Sequence, residues 1–303
     1  MSLEAELYEE RRRKWRRSGF WRGAGVVVVL VAVVLGIRAL MGDPGPGPHI
    51  ARHTLFGVIF NDPVRDDLIR SFADDDEVQA VIIEIESPGG TTVGAEAIYD
   101  AIRDVAEVKP VVAVLGEVAA SGGYIAAIAA DHVVARGNTL TGSIGVIIEY
   151  PNFSGLLEDL GVSVETVRSS AIKGGASPLR PTSDAEREEQ RDVIEDSFQW
   201  FRGLVGEARD ISGQQLDSVA DGGIFTGRQA LAVGLIDAIG GEQEALIYLE
   251  SLDESLRDLP IVDHAVPEED FSALDLVLEQ SGMRAFLPEI ARKSGARLWS
   301  LAE

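Results

Sequence analysis

The chain is 303 residues long, 46% hydrophobic and 25% charged, with no cysteine and a formal net charge of −23. That length supports one or two domains with a sizeable core, while the missing cysteines exclude disulfides and thiolate metal sites, and the acidity argues against a nucleic-acid surface. Of the 27 basic residues only Lys14, Lys109, Lys173 and Lys293 are lysines, an acid-rich, lysine-poor pattern that suits salty surroundings, though GC-rich coding would also favour arginine.

Residues 1–22 form a basic segment with Arg11, Arg12, Arg13, Lys14, Arg16, Arg17 and Arg22. An uncharged, valine-dominated run of fifteen residues follows, Gly23 to Ile37. As a helix it would span about 22 Å, short of the ~30 Å hydrocarbon core. Continuing through Met41, with Arg38 snorkelling, makes residues 23–41 long enough to cross. Trp15 and Trp21 sit where an interfacial belt would lie, and the positive-inside rule puts the N-terminus in the cytoplasm and the body outside. A cleaved signal peptide is the competing reading. Its basic region would be unusually long, and no small-x-small site follows the run, so a retained single-pass anchor is expected.

Asp43-Pro44-Gly45-Pro46-Gly47-Pro48 predicts a linker over residues 42–52, since alternating Pro and Gly pack as neither helix nor strand. From about His53 the pattern is α/β. Strands are expected at 54–60 and 78–85, with helices at 64–72 and 93–105; the near-continuous apolar run Val78–Ile85 marks a sheet covered on both faces. A strand at 110–115 leads through Gly116-Glu117-Val118-Ala119-Ala120-Ser121-Gly122-Gly123 into an Ala-rich helix at 124–130, with another strand at 132–135. Strand–turn–helix repetition predicts parallel units. A long helix begins at Ser183, where Ser183 and Glu186 form a capping box, with an apolar face of Ile194, Phe198, Phe201, Val205 and Ala208. Another helix is read from Asp221 to Gly234. The main body runs over 53–250, with a helical extension at 251–303.

Ser121 stands among small residues at a predicted helix start, where free N–H groups suit an oxyanion. A tight turn in which small residues merely fit is equally compatible with the local sequence. A serine nucleophile needs a base. The four histidines serve poorly: His49 and His53 lie at the linker, His264 lies near the C-terminus, and His132 is a helix and turn away, some 15 Å at ~1.5 Å per residue. His132 beside Asp131 reads as a solvated pair at a helix end. Lysine serves when its pKa falls on burial. Lys173 lies in a small-residue loop in which no acidic residue occurs between Glu165 and Asp184; a plain surface lysine is the alternative. Oxyanion donors are available at Gly122 and in Pro88-Gly89-Gly90, itself otherwise a plain turn. Zinc HExxH, P-loop and GxGxxG patterns are absent, so neither a metal nor a nucleotide cofactor is expected.

Five segments in order resemble the signal peptide peptidase A type of membrane serine protease: Ser87-Pro88-Gly89-Gly90, Ala120-Ser121-Gly122-Gly123-Tyr124, Thr141-Gly142-Ser143-Ile144-Gly145-Val146, Lys173 with Ser177-Pro178, and Asp221 through Asp237. The resemblance covers about residues 54–245. It implies a Clp/crotonase-like α/β fold of repeated ββα units on a parallel sheet. It also implies Ser121 as nucleophile, Lys173 as general base, Ser143 as the hydroxyl orienting Lys173, and Gly89 and Gly122 as oxyanion donors. The expected substrates are hydrophobic peptides such as remnant signal peptides, and the expected assembly is a ring whose Ser–Lys dyads form between neighbouring subunits. Glu86 departs from the family, where Asn or Asp is usual, and Gly223 stands where Arg is usual. Competing readings are a protease of the stomatin-partner type, a crotonase-type acyl-CoA enzyme, which would want a carboxylate base and a basic CoA site, and a non-catalytic membrane scaffold.

Overall fold

The computed structural model describes residues 46–266, together with Val27 and residues 29–33, which are helical and exposed. The basic segment, most of the expected anchor and the tail from Pro267 lie outside the described residues. Among the described residues, no helix is long and apolar enough to cross a membrane.

Strands β1 (His49–Ile59), β2 (Val78–Gly90), β3 (Val111–Ala120), β4 (His132–Ala135), β5 (Leu140–Gly142), β6 (Ile224–Thr226), β7 (Ala238–Ile239) and β8 (Ile261–Asp263) form one eight-stranded sheet. Its main path runs β6-β5-β3-β2-β1-β8, while β4 pairs with β3 and carries β7. Every pairing is parallel except β5 with β6. Helices α1 (Pro63–Asp74) and α2 (Thr92–Ala106) join the first three strands as βαβ rather than ββα units. Asp62 starts α1 by accepting from the Val64 and Arg65 N–H groups, with Pro63 at the first helical position, where its missing N–H costs nothing.

Both faces of the sheet are covered. On one, Val81, Ile83 and Ile85 of β2 and Val111, Ala113 and Leu115 of β3 pack with Ile69, Phe72, Ile98 and Ile102 of α1 and α2. On the other, Ile82, Val112 and Val114 pack against Ala245 and Leu249 of helix α8 (Glu242–Leu252). The remaining helices are α3 (Gly122–Ala127), α4 (Ser154–Asp159), α5 (Asp184–Arg209), α6 (Gly213–Val219) and α7 (Gly227–Val233). This is the Clp-protease-like mixed α/β arrangement with a parallel-dominated sheet.

Several boundaries differ from the sequence reading. β1 begins at His49, inside the expected linker, because its first residues pair with β2 and with β8. β8 also carries the body past residue 250. The helix expected at 124–130 is the six-residue α3, starting at Gly122. Within the expected 221–234 helix, Ile224–Thr226 is first used as a strand against β5. In α5, Phe201 and Val205 are buried, whereas Ala208 is exposed.

The histidines are not at a loose linker. His49 and His53 are buried in β1. His49 stacks on His264 at 5.4 Å, and the His53 ring bonds the His264 carbonyl at 2.7 Å. His132 stacks on Tyr248 at 3.9 Å and is half-buried rather than solvated. Burial lowers the pKa of His53, His132 and His264, so these rings are packed elements of the body.

Candidate active site

β3 changes partner part-way along. Residues 112–115 pair with β4, and Val118, Ala119 and Ala120 pair with Leu140, Thr141 and Gly142 of β5. The last register, Ala120 opposite Gly142, brings the next two residues, Ser121 and Ser143, side by side at the ends of adjacent strands. The Ser121 N–H donates to the Gly142 carbonyl at 2.8 Å, and the Ser143 N–H donates to Gly223 at 2.7 Å. Both serines have positive φ, 52° and 50°.

Ser121 has φ 52° and ψ −119° at the junction of β3 and α3. A side chain there is strained by roughly 1–3 kcal/mol, and a sharp strand-to-helix turn of this kind pushes a hydroxyl out of the sheet end. The turn closes because its neighbours lack side chains. Gly89 has φ +113°, and a Cβ on it would lie 2.9 Å from the Ser121 Cβ and 3.0 Å from the Gly122 nitrogen. A Cβ at Gly123 would lie 2.8 Å from the Ser87 carbonyl oxygen. Pro88-Gly89-Gly90 and Ser121-Gly122-Gly123 are therefore one packed unit. The N–H groups of Gly122 and Gly123 begin α3, where the helix supplies no acceptor. With only six residues, α3 offers these local donors rather than the longer helix dipole read from the sequence. The Gly89 N–H donates to the Ser87 hydroxyl at 3.1 Å, so an oxyanion would have to take it from that oxygen.

Ser121, Ser143 and Gly122 line a cleft of about 550 Å³, walled by Pro88, Ala95, Ile125, Val146, Ile147, Trp200 and Phe201. Among the described residues no charged side chain lines it, although the chain as a whole carries a net charge of −23. No histidine lines it either.

Lys173 is elsewhere. It is exposed, in a separate pocket of about 450 Å³ lined also by Ile148, Ile172, Glu189, Gln190 and Val193. Ile147 borders the first cleft and Ile148 the second. Along α5, Glu189, Gln190 and Val193 line the Lys173 pocket, and Trp200 and Phe201 line the Ser121 cleft. Glu189 also brings a carboxylate to Lys173 that the acid-free stretch 166–183 does not reveal, because it arrives from the following helix.

The loop bearing Lys173 is staked at the start of α5. The fully buried Glu186 carboxylate accepts from Ser183 N–H at 2.9 Å, from Arg168 at 2.9 Å and from Arg180, which in turn donates to the Gly175 carbonyl at 2.6 Å. Arg180 first, then the Ser183 N–H, hold this carboxyl well below its ordinary value. Such a lowered pKa gives stability that is fully present above the unfolded-state value of 4.5 and is lost as pH falls through the folded-state value. In Glu186→Gln we expect faster tryptic cutting at Lys173. We also expect a loss of melting temperature that is largest at neutral pH and shrinks below the unfolded-state carboxyl pKa. Equal cutting rates would show that the stake does not order the loop.

The Peptidase family S49 profile matches residues 103–255, and the Clp protease profile matches residues 64–140. Ser121 lies within both ranges. The chain belongs to peptidase family S49. Among its relatives, a protein of Methanocaldococcus jannaschii designated protease MJ0651 is 33% identical over 66% of this chain and 64% of its own length. One of Synechocystis sp., designated protease slr0021, is 36% identical over 62% and 69%. The chloroplastic serine protease SPPA of Arabidopsis thaliana is 37% identical over 59% of this chain and 26% of its own length. The S49 chain thus spans about two thirds of the shorter relatives and a quarter of the chloroplast protein.

Proposed function

We propose that this S49 protease is a membrane-anchored serine endopeptidase working by a Ser121–Lys173 dyad on hydrophobic peptides, remnant signal peptides among them. The observation that carries the reading is the strained Ser121 turn beside Ser143 in a cleft that no charged side chain among the described residues lines. In this reading the Ser121 Oγ attacks the scissile carbonyl and its proton passes to the Lys173 Nζ. Gly122 and Gly89 hold the oxyanion, the leaving amine takes the proton from lysine, and water then releases the acyl group. Ser143, beside Ser121, orients the ammonium. Beside Thr91 and Thr92, the cleft's Ile125, Val146, Ile147, Trp200 and Phe201 offer apolar surface that hydrophobic side chains would bury.

The base is supplied by a neighbouring copy. Segment 147–193 exposes Ile147, Ile148, Phe153, Leu156, Leu160, Val164, Val167, Ile172 and Val193. Helix α4, within it, has no buried residue, and so short a helix is unstable alone in water. An apolar surface of this extent fits an interface. Packing there would also shut Lys173 off from water. The anchor at 23–41, the cytoplasmic N-terminus and the ring assembly complete the proposal.

Labelling with a serine-reactive fluorophosphonate tests it. We expect wild type to label, Ser121→Ala not to label, and Lys173→Ala to label slowly and lose peptidase activity at neutral pH. Full labelling of Ser121→Ala would refute the nucleophile, and full activity of Lys173→Ala would refute the base.

A further inference from the structure

We infer that Glu86 is a positioning residue for the serine, clamping the bulge in β3 that sets where Ser121 stands. The inference rests on Ser121 being the nucleophile.

The register between β2 and β3 breaks at one place. Ile85 pairs with Leu115, and the next pair is Ser87 with Ala119. One residue of β2, Glu86, therefore faces three of β3: Gly116, Glu117 and Val118. A bulge leaves ladder groups unpaired and re-aims the strand. Here it falls where β3 leaves β4 and joins β5, three residues before Ser121.

The unpaired groups are taken by one side chain. The Glu117 N–H donates to the Glu86 Oε2 at 2.6 Å and the Val118 N–H donates to Oε1 at 3.2 Å. The carboxylate lies directly over Gly116, where a Cβ would be 2.0 Å from Oε2. On the other side the Thr139 hydroxyl donates to the Gly116 carbonyl at 2.7 Å. Glu86 is half-buried, and its bond to the Val118 N–H is partly shielded from water. An ionised acceptor holding two N–H groups bonds more strongly than neutral partners would. It is joined to the site along both strands. Ser87, the next residue on β2, holds the Gly89 N–H, and Val118 begins the ladder that ends at Ala120 and Gly142. Slackening the bulge shifts Ser121 against Gly89, a contact with no spare room.

The test uses four full-length variants: Glu86→Ala, Glu86→Gln, Gly116→Ala and the Glu86→Ala/Gly116→Ala double. Gly116→Ala evicts the carboxylate while leaving it on the chain. The readouts are kcat and KM on a fluorogenic hydrophobic peptide, the rate of fluorophosphonate labelling per folded molecule, and the melting temperature. Displacement of a reacting group by about an ångström costs roughly 10²-fold in rate. We expect Glu86→Ala and Gly116→Ala each to lower kcat by roughly 10- to 100-fold with KM within about twofold. Glu86→Gln, which keeps one acceptor, should fall between. The double variant should be no worse than the poorer single, because both changes break the same clamp. Wild-type kcat in Glu86→Ala, or multiplying losses in the double, overturns the inference. So does a loss that follows only the unfolded fraction, with the folded molecules labelling at the wild-type rate. Activity surviving in Ser121→Ala would instead refute the nucleophile, so the two failures are separable.

Discussion

Coexpression of Ser121→Ala and Lys173→Ala copies is expected to restore peptidase activity that neither variant has alone. Within one chain the two residues line different pockets, on either side of Ile147–Ile148. A dyad built across copies needs a serine from one and a lysine from the next. In a head-to-tail ring each junction draws its two halves independently. A random equal mixture therefore has about one junction in four with both halves intact. We expect about a quarter of wild-type activity, read with the fluorogenic peptide after copurification on two tags. Activity at the level of the single variants, in verified mixed assemblies, would mean that each copy completes its own site.

Replacing Gly89 by alanine is expected to remove nearly all activity while leaving the body folded. Two effects combine. The backbone at φ +113° is one that residues with a Cβ rarely adopt. The new methyl would also lie 2.9 Å from the Ser121 Cβ, 3.0 Å from the Gly122 nitrogen and 3.1 Å from the Ala120 oxygen. Two of those three are backbone atoms and the third belongs to the serine, so relief must move the site itself. Alanine keeps the N–H, but turning it away costs up to the about 10²–10³ in kcat that loss of one oxyanion donor costs, and displacement of the serine adds to it. The strain costs about 1–3 kcal/mol of stability, less than the roughly 5–15 kcal/mol that holds a domain folded. Gly57→Ala is the control: φ is +75° there, but nothing lies within 4 Å of the added methyl. It should lower the melting temperature and leave kcat unchanged. Equal kcat in Gly89→Ala and wild type would remove Gly89 from the site.

Much of the architecture was legible because it follows from short-range chemistry. The Val78–Ile85 run needs apolar partners on both faces, and both faces are covered. The capping box at Ser183 and Glu186 is satisfied locally and forms as read. What escaped depends on partners far along the chain. Ile224–Thr226 is a strand only because β5 lies beside it. His49 is buried only because residues 261–264 return to pack on β1. Glu186 was read as a cap, yet it also gathers Arg168 and Arg180, which composition does not foretell.

The site divides in the same way. Small residues around Ser121, and a lysine in a loop free of acids, are properties of adjacent residues, so the sequence alone singled out Ser121, Lys173 and the Gly-rich turn at 88–90. The strain at Ser121, its pairing with Ser143 and the Glu86 clamp come from strand register, which is set by which strands meet and where a bulge falls. Only the tertiary structure decided these, and only it put Lys173 in a pocket apart from Ser121, because the distance between them depends on how α5 leaves the sheet.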